Sequence, residues 1–234
     1  MHAPHGLCGV ILAAGQSSRM GTDKALLPWP PPTRVPQVSN LRPGIEPLSS
    51  QSAAAPLPST LLSAAILALE PHTQAIVVVA GKNAEVIATT VGARAAYMAR
   101  NPDPSRGQFS SLQIGLRAAL DHGCDAAMIT PVDCPPLAPA SLALLRESFN
   151  RARNGDIWAI APENNGHHGH PLIVCRELIG IFLDAPVTAN ARDILHLHAD
   201  RIVYVQVPDD LSRAGMNTPE EYDSYLGKTP PTAT

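Results

Sequence analysis

Hydrophobic positions in this chain fall into two textures: short continuous apolar runs, and longer stretches where apolar residues recur every three or four positions. The first run is Val10-Ile-Leu12, which ends abruptly in Ala13-Ala-Gly15. Ala75-Ile-Val-Val-Val-Ala80 is a continuous β-branched run, the pattern of a strand covered on both faces, and Ala126-Ala-Met-Ile-Thr130 reads as a further strand. Arg94–Met98 makes a weaker strand, while Ile157–Ala161, Pro171–Val174 and Ile202–Val207 complete the strand set. Helical spacing marks Leu61–Leu69 behind Ser59 and Thr60 as caps, a short helix through Thr90 capped by Asn83, and Phe109–Leu120 with Leu112, Leu116 and Leu120 on one face. Pro139–Phe149, Thr188–Leu197 and Pro219–Leu226 follow. Strands alternating with helices at this spacing predict an α/β fold with a doubly wound, mostly parallel sheet, whose ligands sit at the carboxyl ends of the strands.

One stretch breaks the alternation. Residues 28–58 contain nine of the 24 prolines, with Ser, Gln and Ala between them, so neither helix nor strand propagates. Its length exceeds the roughly 12–15 residues usual for a loop. It reads as an insertion within a single domain spanning 1–234, either a surface excursion or a lid or dimer contact anchored by Trp29 and Leu41.

Composition narrows the function classes. A chain of 234 residues is long enough to bury a large core. A net charge of −3 and a pI near 6.3 argue against nucleic acid or an anionic membrane as the main partner. There is no apolar run of about 18 residues, and Met1-His-Ala-Pro-His-Gly6 lacks a basic leader region, so the expectation is a cytoplasmic protein. Cys8, Cys124, Cys134 and Cys175 lack metal-site spacing and read as reduced thiols.

The chemistry starts where the first run stops. An apolar strand entering Ala13-Ala-Gly15 directs several backbone N–H groups to one point, which suits phosphate oxygens. Arg19 and Lys24 add two cations, and Gly21 lets the loop bend between them. Neither G-x-x-x-x-G-K-[ST] nor G-x-G-x-x-G is present, which disfavours a nicotinamide-dependent oxidoreductase. Asp133 directly follows a strand in Thr130-Pro-Val-Asp-Cys-Pro-Pro-Leu137. A carboxylate fixed there can take Mg²⁺, which binds one or two carboxylates plus substrate phosphates, or it can simply cap the turn before Pro139. Gly107 with Ser110 and Ser111 heads a helix, where free N–H groups suit a phosphate and the serines serve equally as caps. Thr218, Pro219 and Glu221 read as a capping box that positions Asn217. Gly166-His-His-Gly-His170 places three histidines in four positions, but nothing completes a zinc site.

Leu12-Ala-Ala-Gly-x-Ser-x-Arg-Met-Gly-x-x-Lys24 resembles the signature loop of the MobA-like nucleotidyltransferases, in particular the molybdenum cofactor cytidylyltransferases. The resemblance covers nearly the whole chain except 28–58. It implies nucleotide binding by Leu12, Ala13, Ala14, Gly15, Arg19, Lys24, Ser110 and Ser111. Asp133 matches the metal-binding Asp of the family's Asp-x-Pro motif, completed by Pro135. Asn217 matches a second metal position, although Gly215 and Asn217 stand where these enzymes often carry aspartates. Gly169 and His170 match a Gly-His-Pro segment lining the acceptor pocket, and Arg192 matches a further segment whose Arg meets the acceptor, although it reads equally as an exposed helix residue. His167 and His168 are expected to be merely exposed.

Lys24, Arg19 and Asp133 are then the expected catalytic set, Asp133 and Asn217 the Mg²⁺ ligands. The expected partners are an NTP and a small phosphorylated acceptor, with CTP favoured by Ala14 and by Gly-x-x-Ser-Ser-Leu112, molybdopterin implied as acceptor, and a molybdoenzyme or its maturation chaperone as recipient. The alternatives are GTP or another acceptor on the same fold, such as a sugar phosphate, and a catalytically silent nucleotide-binding module.

Overall fold

The computed structural model describes residues 6–15, 20–29, 59–152, 155–210 and 215–225. Its elements run β1 (Gly6–Ala13), α1 (Leu61–Leu69), β2 (Ala75–Ala80), α2 (Ala84–Ala93), β3 (Tyr97–Arg100), α3 (Gln108–Asp121), β4 (Cys124–Pro131) and α4 (Pro139–Ala152). After these come β5 (Ala159–Asn164), β6 (His167–His168), β7 (Leu172–Cys175), α5 (Arg176–Asp184), α6 (Ala191–Leu197), β8 (Ile202–Gln206) and α7 (Pro219–Asp223).

The alternation of side chains along β1 explains the layers. Leu7, Ile11 and Ala13 join one buried cluster with Leu62 and Ile66 of α1, Ile87 of α2 and Leu145 and Phe149 of α4. Cys8, Val10 and Leu12 join the opposite cluster with Leu112 and Leu116 of α3, Phe182 of α5 and Ile194 of α6. A strand buried on both faces has no polar side to show, hence the continuous apolar runs. Helix α3 lies so close to the sheet that a Cβ on Gly115 would stand 2.5 Å from Val10 Cγ1.

The strand order is β3-β2-β1-β4-β7-β5-β6, with β8 beside β5. β1 pairs parallel with β2 and β4, β2 with β3, and β5 with β8; β7 runs antiparallel between β4 and β5. The doubly wound, mostly parallel α/β sheet is thus present. Its antiparallel insert comes from the Asn165-Gly166 hairpin, where φ is +49° and +77°, both positive as a type I′ turn requires.

Several expected elements differ: α5 is a helix that the spacing does not mark, α6 starts at Ala191 and not Thr188, and α7 ends at Asp223 and not Leu226. The third strand starts at Tyr97, not Arg94, because α2 runs to Ala93 and the chain then passes Ala95 in the left-handed region, φ +51°. Asn83 does not cap α2 with its side chain. Its Oδ1 instead accepts from Gly81 N at 3.0 Å and its Nδ2 donates to Ala13 O at 2.9 Å, tying the ends of β1 and β2 together.

The proline-rich stretch leaves and returns at one place. Trp29 N donates to Ser59 O at 2.9 Å, and Pro28 bridges Thr60. The Tyr222 hydroxyl donates to Pro28 O at 2.7 Å, and the Trp29 ring meets Tyr225 edge-on at 5.6 Å. Residues 30–58, including Leu41, lie outside the described residues. Among the described residues no helix is long and apolar enough to cross a membrane.

Candidate active site

Three chain segments meet at the carboxyl edge of β1 and β4. On the first, Asp23 Oδ1 accepts from Ala25 N at 3.0 Å and starts a tight 3-10 turn over Lys24–Leu26. With Ala25 fully buried, this turn fixes where the Lys24 side chain starts. On the second, Val132 N donates to Leu12 O at 3.0 Å and Cys134 N to Pro131 O at 3.2 Å, so the chain turns sharply at Asp133. The third segment is tied in by Met216 N, which donates to Asp133 O at 3.0 Å. Its capping box forms as the sequence predicts: Glu221 N donates to Thr218 Oγ1 at 3.2 Å, and Glu221 Oε2 accepts from Thr218 N at 3.1 Å and also from Asn217 N.

These ties bring together residues far apart in sequence. Lys24 Nζ lies 2.7 Å from Asp133 Oδ2 and 2.9 Å from Asn217 Oδ1. Both side chains of the ion pair are mostly shielded, at 15% and 22% exposure. Two hard oxygens therefore converge on one cation. That donor set, completed by phosphate oxygens, fits Mg²⁺. Gly215 adjoins it: a Cβ there would sit 3.8 Å from Asp133 Oδ2, in ordinary contact. Among the described residues no cluster of three or more His, Cys, Asp or Glu side chains could hold a metal without such help. Arg19, expected beside Lys24, lies outside the described residues.

A cavity of about 420 Å³ opens beside this trio, lined by Leu12, Ala13, Ala14, Gly15, Lys24 and Asp133 on one side and by Pro104, Ser105, Gly107, Gln108 and Ser111 on the other. Its walls close in because Gly81 lacks a side chain: a Cβ there would lie 2.8 Å from Pro104 Cγ and 2.9 Å from Ala14 O. Ser111 lines the cavity, whereas Ser110 does not. Both are buried, and both hydroxyl oxygens accept from Asn101 Nδ2 at 2.9 Å. Ser110 also donates to Gly107 O at 2.7 Å.

Asn101 opens the Asn101-x5-Gly107-Gln-Phe-Ser-Ser-Leu112 segment, and its spacing alone assigns it no role. It is buried, its N–H donates to Ala80 O at 2.7 Å, and its Oδ1 accepts from Asp103 N at 3.0 Å. One side chain thus clamps the turn carrying Pro104 and Ser105 to the start of α3, holding two walls of the cavity at fixed separation. Asn101→Ala should leave two buried hydroxyls short of a donor, costing about 1–3 kcal/mol of stability. It should also raise the nucleotide KM roughly tenfold. Denaturant unfolding and steady-state kinetics check the two numbers.

A second, larger cavity of about 970 Å³ adjoins the first, with Gly107 and Gln108 lining both. Gly169, His170 and Arg192 line it, together with Arg106, His167, His168 and His196. His170 precedes a cis peptide bond to Pro171, and its Nδ1 is buried without a hydrogen-bond partner. Burial pushes its pKa below the usual histidine value, against the opposing pull of the Ile129 backbone and the Asp133 charge, so the imidazole is neutral at pH 7. Arg192 starts α6, its N–H held by Asn190 Oδ1 at 2.9 Å. All four cysteines are free thiols. Burial pushes Cys8 up to about 12 and Cys175 up to about 11, and raises Cys134 and Cys124 as well, so none is a ready nucleophile at neutral pH.

The carboxyl edge of the doubly wound sheet thus brings a lysine, a carboxylate and a carboxamide oxygen together beside the first cavity. The chain belongs to the MobA-like NTP transferase family, whose domain pattern matches residues 9–202. It is 25% identical over 215 residues to the molybdenum cofactor cytidylyltransferase of Escherichia coli (strain K12), covering 88% of this chain and 93% of that protein. Among solved structures it is similar to a nucleotidyl transferase from Methanothermobacter, Mth528, with a TM-score of 0.68 at 19% identity, covering 95% of this chain and 98% of that one. It is also similar to Rv0371c of Mycobacterium tuberculosis H37Rv, with a TM-score of 0.66 at 20% identity, covering 96% and 99%. A manganese complex of Rv0371c superposes with a TM-score of 0.62 at 17% identity, covering 96% and 100%.

Proposed function

We propose that this protein transfers the cytidylyl group of CTP to the terminal phosphate of molybdopterin, releasing pyrophosphate. The observation that carries the reading is the convergence of Asn217 on Lys24 with Asp133, the lysine and the aspartate both lining the first cavity. The relationship to a molybdenum cofactor cytidylyltransferase supports the choice of acceptor and base, as does Ala14 beside the Ser110-Ser111-Leu112 segment.

In this reading the triphosphate lies along Ala13–Gly15, whose backbone N–H groups face its oxygens, and Lys24 neutralises charge on it. Asp133 and Asn217 would hold Mg²⁺, which supplies charge neutralisation across the phosphates when bound. The acceptor sits in the second cavity, with its phosphate directed past Gly107 and Gln108 toward the first. A phosphate monoester has its second pKa near 6, so its oxygen is already ionised at neutral pH and needs no base. That oxygen forms the new bond to the α-phosphorus, the bond to the β-phosphate oxygen breaks, and pyrophosphate departs with the electron pair. Neutral, half-buried His170 fits this scheme as an acceptor contact that takes no proton. Positioning and charge neutralisation carry the rate enhancement.

Pyrophosphate release measured across the four NTPs with molybdopterin and a panel of other phosphate acceptors tests the reading. CTP with molybdopterin should give the highest kcat/KM. Preference for GTP or for a sugar phosphate would overturn the specificity, and nucleotide binding without pyrophosphate release from any pair would overturn the activity.

A further inference from the structure

The second cavity has a feature that the family pattern does not account for. His168, read from sequence as merely exposed, stacks face to face on Tyr204, ring centroids 3.8 Å apart and planes 13° from parallel. Strand pairing explains why. His168 of β6 lies opposite Glu163 of β5, and Tyr204 of β8 lies opposite Ala161, two residues earlier on β5. Cross-strand partners share a face, and so do residues two apart, so both rings lean across β5 from opposite sides. Ala161, the smallest side chain that still fills the strand, leaves room beneath them. The Glu163 carboxylate stands 3.9 Å from His168 Nε2.

Both rings and Ala161 line the cavity, and Tyr204 is 38% exposed. The floor is apolar, with Leu112 and Phe182, while Arg106 and Arg192 stand in the wall. No acidic side chain lines this cavity among the described residues. A stacked aromatic wall, an apolar floor and guanidinium groups in a lining without carboxylates select a ligand that is flat and unsaturated in one part and anionic in another.

We propose that the His168–Tyr204 pair is the specificity-determining wall of the acceptor cavity, selecting a planar heteroaromatic ring joined to a phosphate by stacking on it. The inference rests on the reading of this cavity as the acceptor site and names the acceptor's chemical class independently of the nucleotide. Acceptors with a phosphate but no planar ring lose the stacking contribution and are discriminated against.

The test uses the full-length protein and two probes, neopterin monophosphate, which is planar and fluorescent, and ribose 5-phosphate, which is not planar. Wild type should bind the pterin phosphate roughly tenfold tighter than the sugar phosphate, the scale expected of one aromatic stacking contact. Tyr204→Leu should abolish that difference, and Tyr204→Phe, which keeps the ring, should restore it. In turnover, Tyr204→Leu should raise the acceptor KM roughly tenfold with little change in kcat or in the CTP KM. Equal binding of the two phosphates by wild type, or unchanged pterin binding in a folded Tyr204→Leu protein, would overturn the proposal. Its failure is separable from that of the proposed activity. Undiminished cytidylyl transfer in Tyr204→Leu removes the stacking wall and leaves the activity, whereas ring-dependent binding without pyrophosphate release removes the activity and leaves the wall.

Discussion

Asp133→Ala is expected to lower kcat/KM for pyrophosphate release by about 10³-fold, in line with losing one preorganised charged contact in a shielded site. The carboxylate is 22% exposed, and within the Lys24–Asp133–Asn217 trio it holds Lys24 at 2.7 Å. Removing it takes away the anionic member of the oxygen pair that would hold the divalent cation. It also leaves the ammonium of Lys24 with Asn217 as its remaining partner in the trio. The fold should survive, because Asp133 lies at the end of β4 and the backbone bond from Met216 N to its carbonyl does not depend on the side chain. Asp133→Asn separates the two effects, since it preserves shape and oxygen and removes only charge; it should recover little activity. Steady-state pyrophosphate kinetics with a parallel thermal melt measure both. Activity within tenfold of wild type in a folded variant would refute the role of Asp133.

Lys24→Met is expected to lower kcat/KM by about 10²–10³-fold, with part of the loss in the nucleotide KM. Methionine keeps the length and packing of the stem, so the change isolates the ammonium. Deleting it leaves the Asp133 carboxylate shielded without its cation, which should lower stability slightly, by less than the 3–5 kcal/mol typical of fully buried pairs. Lys24→Arg should not rescue, because a planar guanidinium cannot place one point charge 2.7 and 2.9 Å from two oxygens on separate segments. Isothermal titration with CTP in the presence and absence of Mg²⁺ checks the binding share of the loss. Wild-type kcat/KM in Lys24→Met would refute the charge-neutralising role.

The separation of Tyr204→Leu from these two variants is a matter of distance along the site. Lys24 and Asp133 line the first cavity and Tyr204 the second. Gly107 and Gln108 are common to both. In the proposed reaction, losses at the first cavity fall on transfer itself, and losses at the second fall on which acceptor is accepted.

Much of the architecture was legible in the sequence because burial leaves local marks. β1, β2 and β4 are covered by helices on both sides, so their apolar runs are continuous, and α3 shows its buried stripe at Leu112 and Leu116. The cap of α7 was legible because Thr218, Pro219 and Glu221 make a self-contained local motif. Other parts left no such mark. Asn83 and Asn101 look like ordinary turn residues in one dimension, yet each ties together segments whose proximity exists only after folding. β3 shifted because the end of α2 depends on a left-handed Ala95, a residue with no intrinsic preference for that region.

By itself the sequence determined a doubly wound α/β protein with a phosphate-suited turn after its first strand and an acidic anchor after its fourth. Those features follow from hydrophobic period, glycine and proline placement and residue chemistry, all of which are local. Only the tertiary structure decided that Lys24 reaches Asp133 and Asn217 across 109 and 193 residues. It alone set His168 on Tyr204 over a small Ala161, and it gave Ser111 but not Ser110 to the first cavity. These are decided by strand order and register, which arise from the packing of the whole sheet and are written in no single segment of the chain.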